Sequence, residues 1–352
     1  MNHKIITIGI APSWDRTIEI AGIDWNQHKT ILSQKIRPAG KALNINTALA
    51  WMGVNSTAAG LWGSEDYNSL VGADLCVCPK INIRLTKVIG RTRENITIVD
   101  TANKRQMHFR SKSTLAAAKS LKLLKKDLQK IITKNSLAVF AGAMPDTAVD
   151  LIELAKKKKA LVVVDTSGPA LKKIVSKGGL FLIKPNIEEL GEIVGKKIKN
   201  TEAAIISASK KLLTKSKLIL VSRGEKGAIL LFNPLACQQV QSRDSNGAVN
   251  VMSLRGLPAF GGSKTEAISV LSARYTGKKY DVCNTVACGD YLLAGFIKSY
   301  LAPRPAGGFV NSLDNLKRAL QTAITSASAK AFGLNEKLPW QKLKKKLKVN
   351  VY

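Results

Sequence analysis

The sequence predicts an α/β protein with a mostly parallel central sheet and a small additional β-sheet. From about residue 136 onward, short runs of Val, Ile and Leu alternate with longer segments of helical periodicity. Continuous apolar strands separated by helices are typical of a parallel sheet that is buried on both faces. In the first third of the chain, several segments instead alternate polar and apolar residues without helices between them. That pattern indicates a half-exposed antiparallel sheet inserted into the main body.

The individual elements follow from these patterns along the chain. The β-branched run at 4–10 predicts the first core strand. The segments expected to form the small sheet are 16–22, 29–36, 83–89, 94–100 and 105–110, and helices are expected at 41–52 and 114–132. The later strands are expected at 137–142, 161–165, 181–184 and 218–222, with helices at 146–158, 168–177, 186–195, 201–215, 289–301 and 312–332. The turn-rich stretch 233–283 predicts long loops with one helix near 264–274.

Together these elements predict a single domain over residues 1–352. The small sheet is inserted through strands at about 11–37 and 83–112, residues 233–283 form an expanded loop region, and 337–352 form a basic C-terminal tail. No apolar run approaches the roughly 18 residues that a membrane span requires. The first residues are typical of a strand rather than a signal peptide, so we expect a cytoplasmic protein without a membrane partner.

The charge balance is strongly positive. Lys and Arg number 55 against 24 Asp and Glu, which gives a net charge of +31 and favours anionic partners, including nucleic acid, acidic membranes and phosphorylated metabolites. Lysines cluster at 122–130 and 156–159 on the polar faces of predicted helices, with few aromatic residues for base stacking. We interpret these clusters as solvated helix surfaces, so specific nucleic-acid binding is not expected. The run 337–348 is the best candidate for a non-specific polyanion contact.

The sequence has few of the residues and motifs that several classes of functional site require. Five scattered cysteines do not form a disulfide framework, and an odd number fits a reducing compartment. Three histidines make a His-based metal site or a Ser-His-Asp triad improbable. The sequence also lacks a complete phosphate-binding P-loop and a Gly-x-Gly-x-x-Gly motif after the first strand.

Residues 284–290 are a candidate anion site. The loop Asn284-Thr-Val-Ala-Cys-Gly-Asp290 opens a predicted helix, where backbone N–H groups and the positive helix end converge. Asp290 in the first turn is favourable for the helix dipole, which is a purely structural explanation. Its functional interpretation is a general base beside a bound phosphate, which takes the proton of an attacking hydroxyl.

A second candidate site follows a buried strand at Lys184-Pro-Asn-Ile-Glu-Glu-Leu190. Asn186 and Glu189 have the spacing of a helix capping box. The same two oxygen-bearing side chains are suited to a hydrated Mg²⁺, which keeps several of its waters. Both roles are compatible, because a cap at this position faces the carboxyl edge of the sheet.

Eight motifs in order resemble those of the PfkB family of ribokinase-like sugar kinases, in particular its phosphosugar branch, which contains 1-phosphofructokinase and tagatose-6-phosphate kinase. These motifs are Ala11-Pro-Ser-Trp-Asp-Arg-Thr17, Arg37-Pro-Ala-Gly-Lys-Ala-Leu-Asn44, Gly90-Arg-Thr-Arg-Glu-Asn95, Ala141-Gly-Ala-Met-Pro145, Asp165-Thr-Ser-Gly168, Lys184-Pro-Asn186, Ser222-Arg-Gly-Glu-Lys-Gly-Ala228 and Ala287-Cys-Gly-Asp290. The resemblance implies a three-layer sandwich with a small β-sheet lid. It also implies an ATP- and Mg²⁺-dependent transfer of phosphate to a ketohexose monophosphate, most simply fructose 1-phosphate.

The resemblance further implies a role for each matching residue. The sugar hydroxyls would be held by Asp15, Gly40, Lys41 and Asn44, and the phosphate of the substrate by Arg93 and Asn95 with Lys41 nearby. The nucleotide would be bordered by Lys184, Asn186, Ser222, Gly224 and Gly227, and Mg²⁺ would be organised by Asn186 and Glu189 through water. Asp290 would be the base, and the amides of Ala287, Cys288 and Gly289 would form the anion hole. In this family such lids often pair between subunits, which implies a homodimer.

Departures from the family pattern leave alternatives open. Ala287 and Cys288 stand where the family has Gly-Ala, and the anion hole survives that change if Ala287 keeps an ordinary backbone conformation. Tagatose 6-phosphate or fructose 6-phosphate are alternative substrates. An alternative of another class is a catalytically weak sensor that binds a sugar phosphate or a nucleotide, and a third is a kinase scaffold that also binds polyanions.

Overall fold

The protein is described by a computed structural model over residues 3–71, 80–234, 268–278, 280–283, 285–302 and 313–352. Its strands are β1 Lys4–Gly9, β2 Ser13–Ile20, β3 Ser33–Ala39, β4 Ser56–Gly63, β5 Ile81–Val88, β6 Arg93–Asp100, β7 Arg105–Arg110, β8 Ser136–Ala141, β9 Leu161–Asp165, β10 Leu180–Ile183, β11 Ser216–Ser222, β12 Ala228–Phe232, β13 Ser269–Tyr275 and β14 Val349–Val351. Its α-helices are α1 Lys41–Trp51, α2 Tyr67–Val71, α3 Ala118–Ile131, α4 Val149–Lys157, α5 Gly168–Lys177, α6 Ile187–Val194, α7 Glu202–Ser209, α8 Cys288–Tyr300, α9 Leu313–Ala331 and α10 Trp340–Lys346.

Ten of the described strands form one large sheet in the order β14-β13-β12-β11-β10-β9-β8-β1-β4-β5. The strands from β11 through to β5 pair in parallel, whereas β12, β13 and β14 extend the sheet in antiparallel pairs. The buried apolar run Leu161–Asp165 shows why such segments become central strands, because neither of its faces reaches solvent. The predicted α/β class with a mostly parallel sheet is confirmed.

Helices cover both faces of the large sheet and complete a three-layer sandwich. Buried residues of α3, α4, α5, α6 and α7 pack in one apolar cluster. Buried residues of α1, α8 and α9 pack in a second cluster on the opposite face. No helix in the described ranges is both long enough and apolar enough to cross a lipid bilayer.

The small sheet contains four described strands in the order β3-β2-β6-β7. Its register places Asp15 opposite Arg37 on one side and opposite Asn95 on the other, and Asn95 opposite Arg110. Side chains that are opposite each other in register lie on the same face of a sheet. One face of the small sheet is therefore polar, and we call the face that contains these four residues its polar face.

Two predicted elements were wrong. Residues 83–88 of the segment expected in the small sheet lie in β5, a strand of the large sheet, because an edge strand shows the same alternation as a half-exposed small sheet. The helix expected near 264–274 is instead β13 over Ser269–Tyr275, whose residues alternate between more and less buried positions. The basic C-terminal segment 337–352 contains α10 and β14 and buries Trp340 and Leu343. Most of the predicted loop region 233–283 lies outside the described residues.

Candidate active site

At the carboxyl edge of the parallel strands, side chains from separately predicted motifs lie in contact with each other. Asp165 ends β9 and is 1% exposed. Its Oδ1 atom lies 2.9 Å from the Nζ atom of Lys41 and 3.3 Å from the Nζ atom of Lys184. Because Lys41 begins α1 and Lys184 follows β10, one buried carboxylate joins two different elements. Asp165 belonged to a quoted motif but was not predicted as a site residue, although a carboxylate at the end of a buried strand was a usable signal.

Burial and charge act in opposite directions on Lys41. Burial lowers the pKa of its ammonium group, but the carboxylates of Asp165 and Glu189 raise it more, so the net pKa is well above its ordinary value. The Nζ atom of Lys41 lies 3.9 Å from Oε1 of Glu189. Lys41 is therefore a fixed cation at the centre of the site.

Asp290 lies in the first turn of α8 and is 4% exposed. The Nδ2 group of Asn44 donates a hydrogen bond of 2.8 Å to its Oδ2 atom, so the two predicted residues meet across 246 positions of sequence. Burial and the Asp165 carboxylate raise the pKa of Asp290 to about 7, against the opposing effects of Asn44, Lys41 and Lys184. A carboxylate with such a pKa is suited to accept a proton near neutral pH.

The loop before α8 takes an uncommon backbone conformation. Ala287 is the N-cap residue and has φ 66° and ψ 3°, in the left-handed region that glycine favours. The ordinary conformation at Ala287 that we expected the anion hole to require is therefore not present; Ala287 instead takes the conformation that a glycine would adopt at this position. A Cβ atom placed on Gly289 would lie 3.3 Å from the Nζ atom of Lys184, so that buried ammonium group borders the start of the helix. Burial raises the pKa of the Cys288 thiol to about 11, which keeps it neutral.

Asn186 and Glu189 form the predicted capping box at the start of α6. Asn186 Oδ1 accepts from the Glu189 amide at 2.8 Å, and Glu189 Oε2 accepts from the Asn186 amide at 2.9 Å. Glu189 keeps Oε1 outside the box, and Asp165 keeps a buried Oδ2 atom with no hydrogen-bond partner. Oδ2 of Asp165, together with Oε1 of Glu189, which also faces Lys41, fits a hydrated Mg²⁺ held through water. The described residues contain no group of three or more His, Cys, Asp or Glu that could hold a metal directly.

The residues expected to border the nucleotide lie on the same edge. Ser222 ends β11 and forms an isolated bridge with Asn186. Gly224 begins a short 3-10 helix and Gly227 caps its end, and both have positive φ values, 62° and 83°. A Cβ atom on Gly227 would lie 2.0 Å from the carbonyl oxygen of Ala273, so only glycine fits this close approach of β13.

The residues expected to bind the sugar lie where the small sheet joins the large one. Asn95 Nδ2 donates to Asp15 Oδ1 at 2.9 Å and to Ser13 Oγ at 3.0 Å. Gly40, with φ 110°, caps α1, and a Cβ atom there would lie 3.2 Å from the Cα atom of Pro12. Asn44 begins the second turn of the same helix. Of these residues Asn44 contacts the base directly, whereas Gly40 caps the same helix and Asp15 lies on β2, which pairs with the strand before that helix.

Arg93 contacts backbone rather than an acidic side chain. Its Nε group donates to the carbonyl of Pro12 at 3.2 Å, its Nη1 group to Ser111 at 2.8 Å and its Nη2 group to Ala11 at 3.2 Å. These bonds tie the end of β7 to the loop that follows β1. Burial lowers the pKa of Arg93; Asp15 opposes this shift and Arg110 adds to it.

Curated relatives support the resemblance over most of the chain. The 1-phosphofructokinase of Rhodobacter capsulatus is 26% identical over 243 residues, which are 66% of this chain and 74% of that protein. The 1-phosphofructokinase of Bacillus subtilis is 24% identical over 93% of this chain and 92% of its own length. The tagatose-6-phosphate kinase of Staphylococcus epidermidis is 25% identical over 65% of this chain and 75% of that protein.

Solved structures confirm the fold. The tetrameric inhibited form of phosphofructokinase-2 from Escherichia coli matches with a TM-score of 0.73 and 19% identity, over 97% of this chain and 99% of that one. Arabidopsis thaliana ribokinase, in complex with ribose and ATP, matches with a TM-score of 0.63 and 15% identity over 98% of each chain. The family model for the pfkB family of carbohydrate kinases matches residues 3–248. The chain therefore belongs to the pfkB family of carbohydrate kinases, phosphotransferases that act on a hydroxyl acceptor.

Proposed function

We propose that the protein transfers the γ-phosphoryl group of ATP to the 6-hydroxyl of fructose 1-phosphate and forms fructose 1,6-bisphosphate and ADP. The observation that carries this proposal is the buried Asp290, which is hydrogen-bonded to Asn44 and lies close to Lys41 and Lys184 at the start of α8. The relatives named 1-phosphofructokinase, which extend over most of the chain, support the choice of substrate. We expect the reaction to take place in the cytoplasm.

The proposed mechanism uses one base and several fixed positive groups. Asp290 takes the proton of the 6-hydroxyl as its oxygen attacks the γ-phosphorus, and the bond from that phosphorus to the bridging oxygen of ADP breaks. Charge that develops on the transferred group is stabilised by the backbone amides of Ala287 and Gly289, the positive end of α8 and the ammonium group of Lys184. Lys41 holds Asp165 and Glu189 in place beside them. The amide of Cys288, which was expected to contribute, already donates to the carbonyl of Thr285 at 3.4 Å.

Mg²⁺ would be held through water by Asn186, Glu189 and the free Oδ2 atom of Asp165. Bound there, the ion would neutralise charge on the ATP phosphates. Ser222, Gly224 and Gly227 would border the nucleotide, since Ser222 ends β11 beside Asn186 and the two glycines lie in the turn that follows.

The substrate would lie between this edge and the polar face of the small sheet. Asp15, Gly40 and Asn44 would hold its hydroxyls, and its phosphate would lie toward the end of the face that contains Arg93 and Asn95, away from Lys41, which is paired with Asp165 and Glu189 at the transfer site. The small sheet would then be a lid that excludes water, which otherwise competes for the phosphoryl group.

The other face of the small sheet supports a homodimer. Ile36, Met107 and Phe109 lie on that face and are 46%, 46% and 49% exposed. Three large apolar side chains on one open sheet favour burial against a second copy. A solved neighbour, phosphofructokinase-2 of Escherichia coli, occurs as a tetramer.

A coupled assay of ADP release tests the function. The purified protein is supplied with Mg-ATP and with fructose 1-phosphate, fructose 6-phosphate, tagatose 6-phosphate or free fructose, and Asp290→Asn is the matched inactive control. Release that depends on fructose 1-phosphate and is absent with free fructose supports the proposal. Release with only one of the other phosphosugars contradicts fructose 1-phosphate and identifies that phosphosugar as the substrate. Silence from folded protein that binds ATP contradicts catalysis and favours the sensor, for which the unusual Ala287-Cys288 loop is the specific observation.

A further inference from the structure

Four charged or polar side chains cross the polar face of the small sheet in one row. They are Arg37 on β3, Asp15 on β2, Asn95 on β6 and Arg110 on β7, each opposite the next in register. Neighbouring strands lie about 4.8 Å apart, so the two arginine strands are separated by about 14 Å. The row is long enough for its two ends to contact different parts of one small substrate.

The two ends of the row differ in their position relative to Asp290. Arg37 lies on β3, which leads through Gly40 directly into α1. Helix α1 carries Asn44, the hydrogen-bond partner of Asp290, so Arg37 lies toward the site of transfer. Arg110 ends β7, the opposite edge strand of the small sheet. Arg110 therefore marks the end of the row that is remote from the acceptor hydroxyl, where a substrate phosphate would lie.

Arg93 is poorly available for a bidentate contact at this end. Three of its N–H groups already donate to the carbonyls of Ala11, Pro12 and Ser111. A guanidinium group has five N–H groups in a fixed plane, so only two remain. Those three bonds join the loop that follows β1 to the residue that follows β7, so Arg93 positions the two segments around it.

Arg110 has the opposite character. Its side chain is exposed, and among the described residues no hydrogen bond or ion pair of its guanidinium group is found. Its register partner Asn95 has a buried Oδ1 atom without a hydrogen-bond partner. A free guanidinium fork beside a buried acceptor suits a ligand that presents phosphate oxygens and a hydroxyl donor together.

We propose that Arg110 makes the bidentate contact with the phosphate that the substrate already carries, while Arg93 positions the strand end and loops around it. This inference rests on the proposed function, since it assigns the phosphosugar specificity of the same site. The hydroxyl next to that phosphate donates to Asn95 Oδ1. The preference for phosphosugars over free sugars then depends on a single exposed residue of β7.

Steady-state kinetics of three variants test the assignment. Arg110→Ala removes the fork, Arg110→Lys keeps the charge without the fork, and Arg84→Ala is the matched control. Arg84 is an exposed arginine on β5, the edge strand of the large sheet. We expect Arg110→Ala to raise the KM for the phosphosugar at least tenfold and to leave the KM for ATP within twofold. Arg110→Lys should be intermediate, and Arg84→Ala should leave both within twofold.

The ratio of kcat/KM for the phosphosugar to that for the free sugar gives a second readout. Arg110→Ala should lower this ratio at least tenfold. A phosphosugar KM that stays within twofold of wild type in Arg110→Ala overturns the assignment while the proposed function stands. A wild-type enzyme that accepts no phosphosugar contradicts the proposed function itself, so the two failures are distinguishable. Thermal melting of each variant shows that the exposed substitution has left the fold intact.

Discussion

The transfer site and the polar face of the small sheet hold their charges in different ways. Asp165 and Asp290 are at most 4% exposed, and each contacts a side chain from a distant element. Arg110, in contrast, lies exposed on β7 at the periphery. Buried charges are costly to leave unpaired, whereas exposed ones are replaced at little cost in stability. Under the proposed function, the chemistry is fixed by buried residues, and the choice of substrate is set by exposed residues that can be replaced at little cost in stability.

The largest effect is expected from Asp290→Asn at the transfer site. Loss of a general base lowers kcat by about 10²- to 10⁴-fold, whereas binding of the phosphosugar depends on other residues and should be kept. ADP release measures the first quantity and calorimetric titration with the phosphosugar measures the second. Normal turnover by this variant would show that Asp290 is only a helix-start carboxylate.

A large effect on substrate affinity is expected from Arg93→Ala at the boundary between the two regions. The variant loses three hydrogen bonds that hold the loops beneath the phosphate end, so the KM for the phosphosugar should rise about 10- to 100-fold. The KM for ATP should change less than twofold. Arg84→Ala is a suitable control, because Arg84 is an exposed arginine on the edge strand β5. Equal changes in both KM values would show that Arg93 supports the fold as a whole rather than the sugar site in particular.

A further effect, about tenfold, is expected from pH. Burial raises the pKa of Asp290 to about 7, so the base form becomes populated only as pH rises through that value. We expect kcat/KM to be about tenfold higher at pH 8 than at pH 6, because this parameter reports the ionisation of the free enzyme. Kinetics at constant ionic strength across this range check it. A profile that is flat between pH 6 and pH 8 would contradict the raised pKa.

The sequence alone predicted the transfer site better than the small sheet. Asn186 and Glu189 were predictable because a capping box is local in sequence, and Asp290 because a helix start converges backbone N–H groups. Pairings such as Asn44 with Asp290 could be expected only through the family resemblance, since 246 positions separate them. The role of Asp165 in the site was not predicted, because its two lysine partners come from separate elements and only its position at the end of a buried strand marks it in the sequence.

The boundary of the small sheet was harder to predict for a physical reason. An edge strand of a large sheet and a strand of a small open sheet both expose one face, so β5 and β6 have similar alternation. The sequence gives no sign of which strands pair, because pairing depends on the register of distant segments. The row from Arg37 to Arg110 could not be recognised until that register was known.

The smallest effect is expected from Ala287→Gly in the loop before α8. A residue with a Cβ atom in the left-handed region destabilises the fold by about 1–2 kcal/mol, and Ala287→Gly removes this cost. About 0.5–1 kcal/mol of the stability gained is lost again, because glycine gives the unfolded chain more conformational freedom. We therefore expect the variant to be more stable by about 0.5–1 kcal/mol, measured by urea unfolding. Because the loop already has the conformation that glycine would adopt, kcat should stay within twofold. A large rise in kcat would show instead that Ala287 distorts the anion hole. Activity would then be changed by single substitutions at the transfer site as well as on the small sheet.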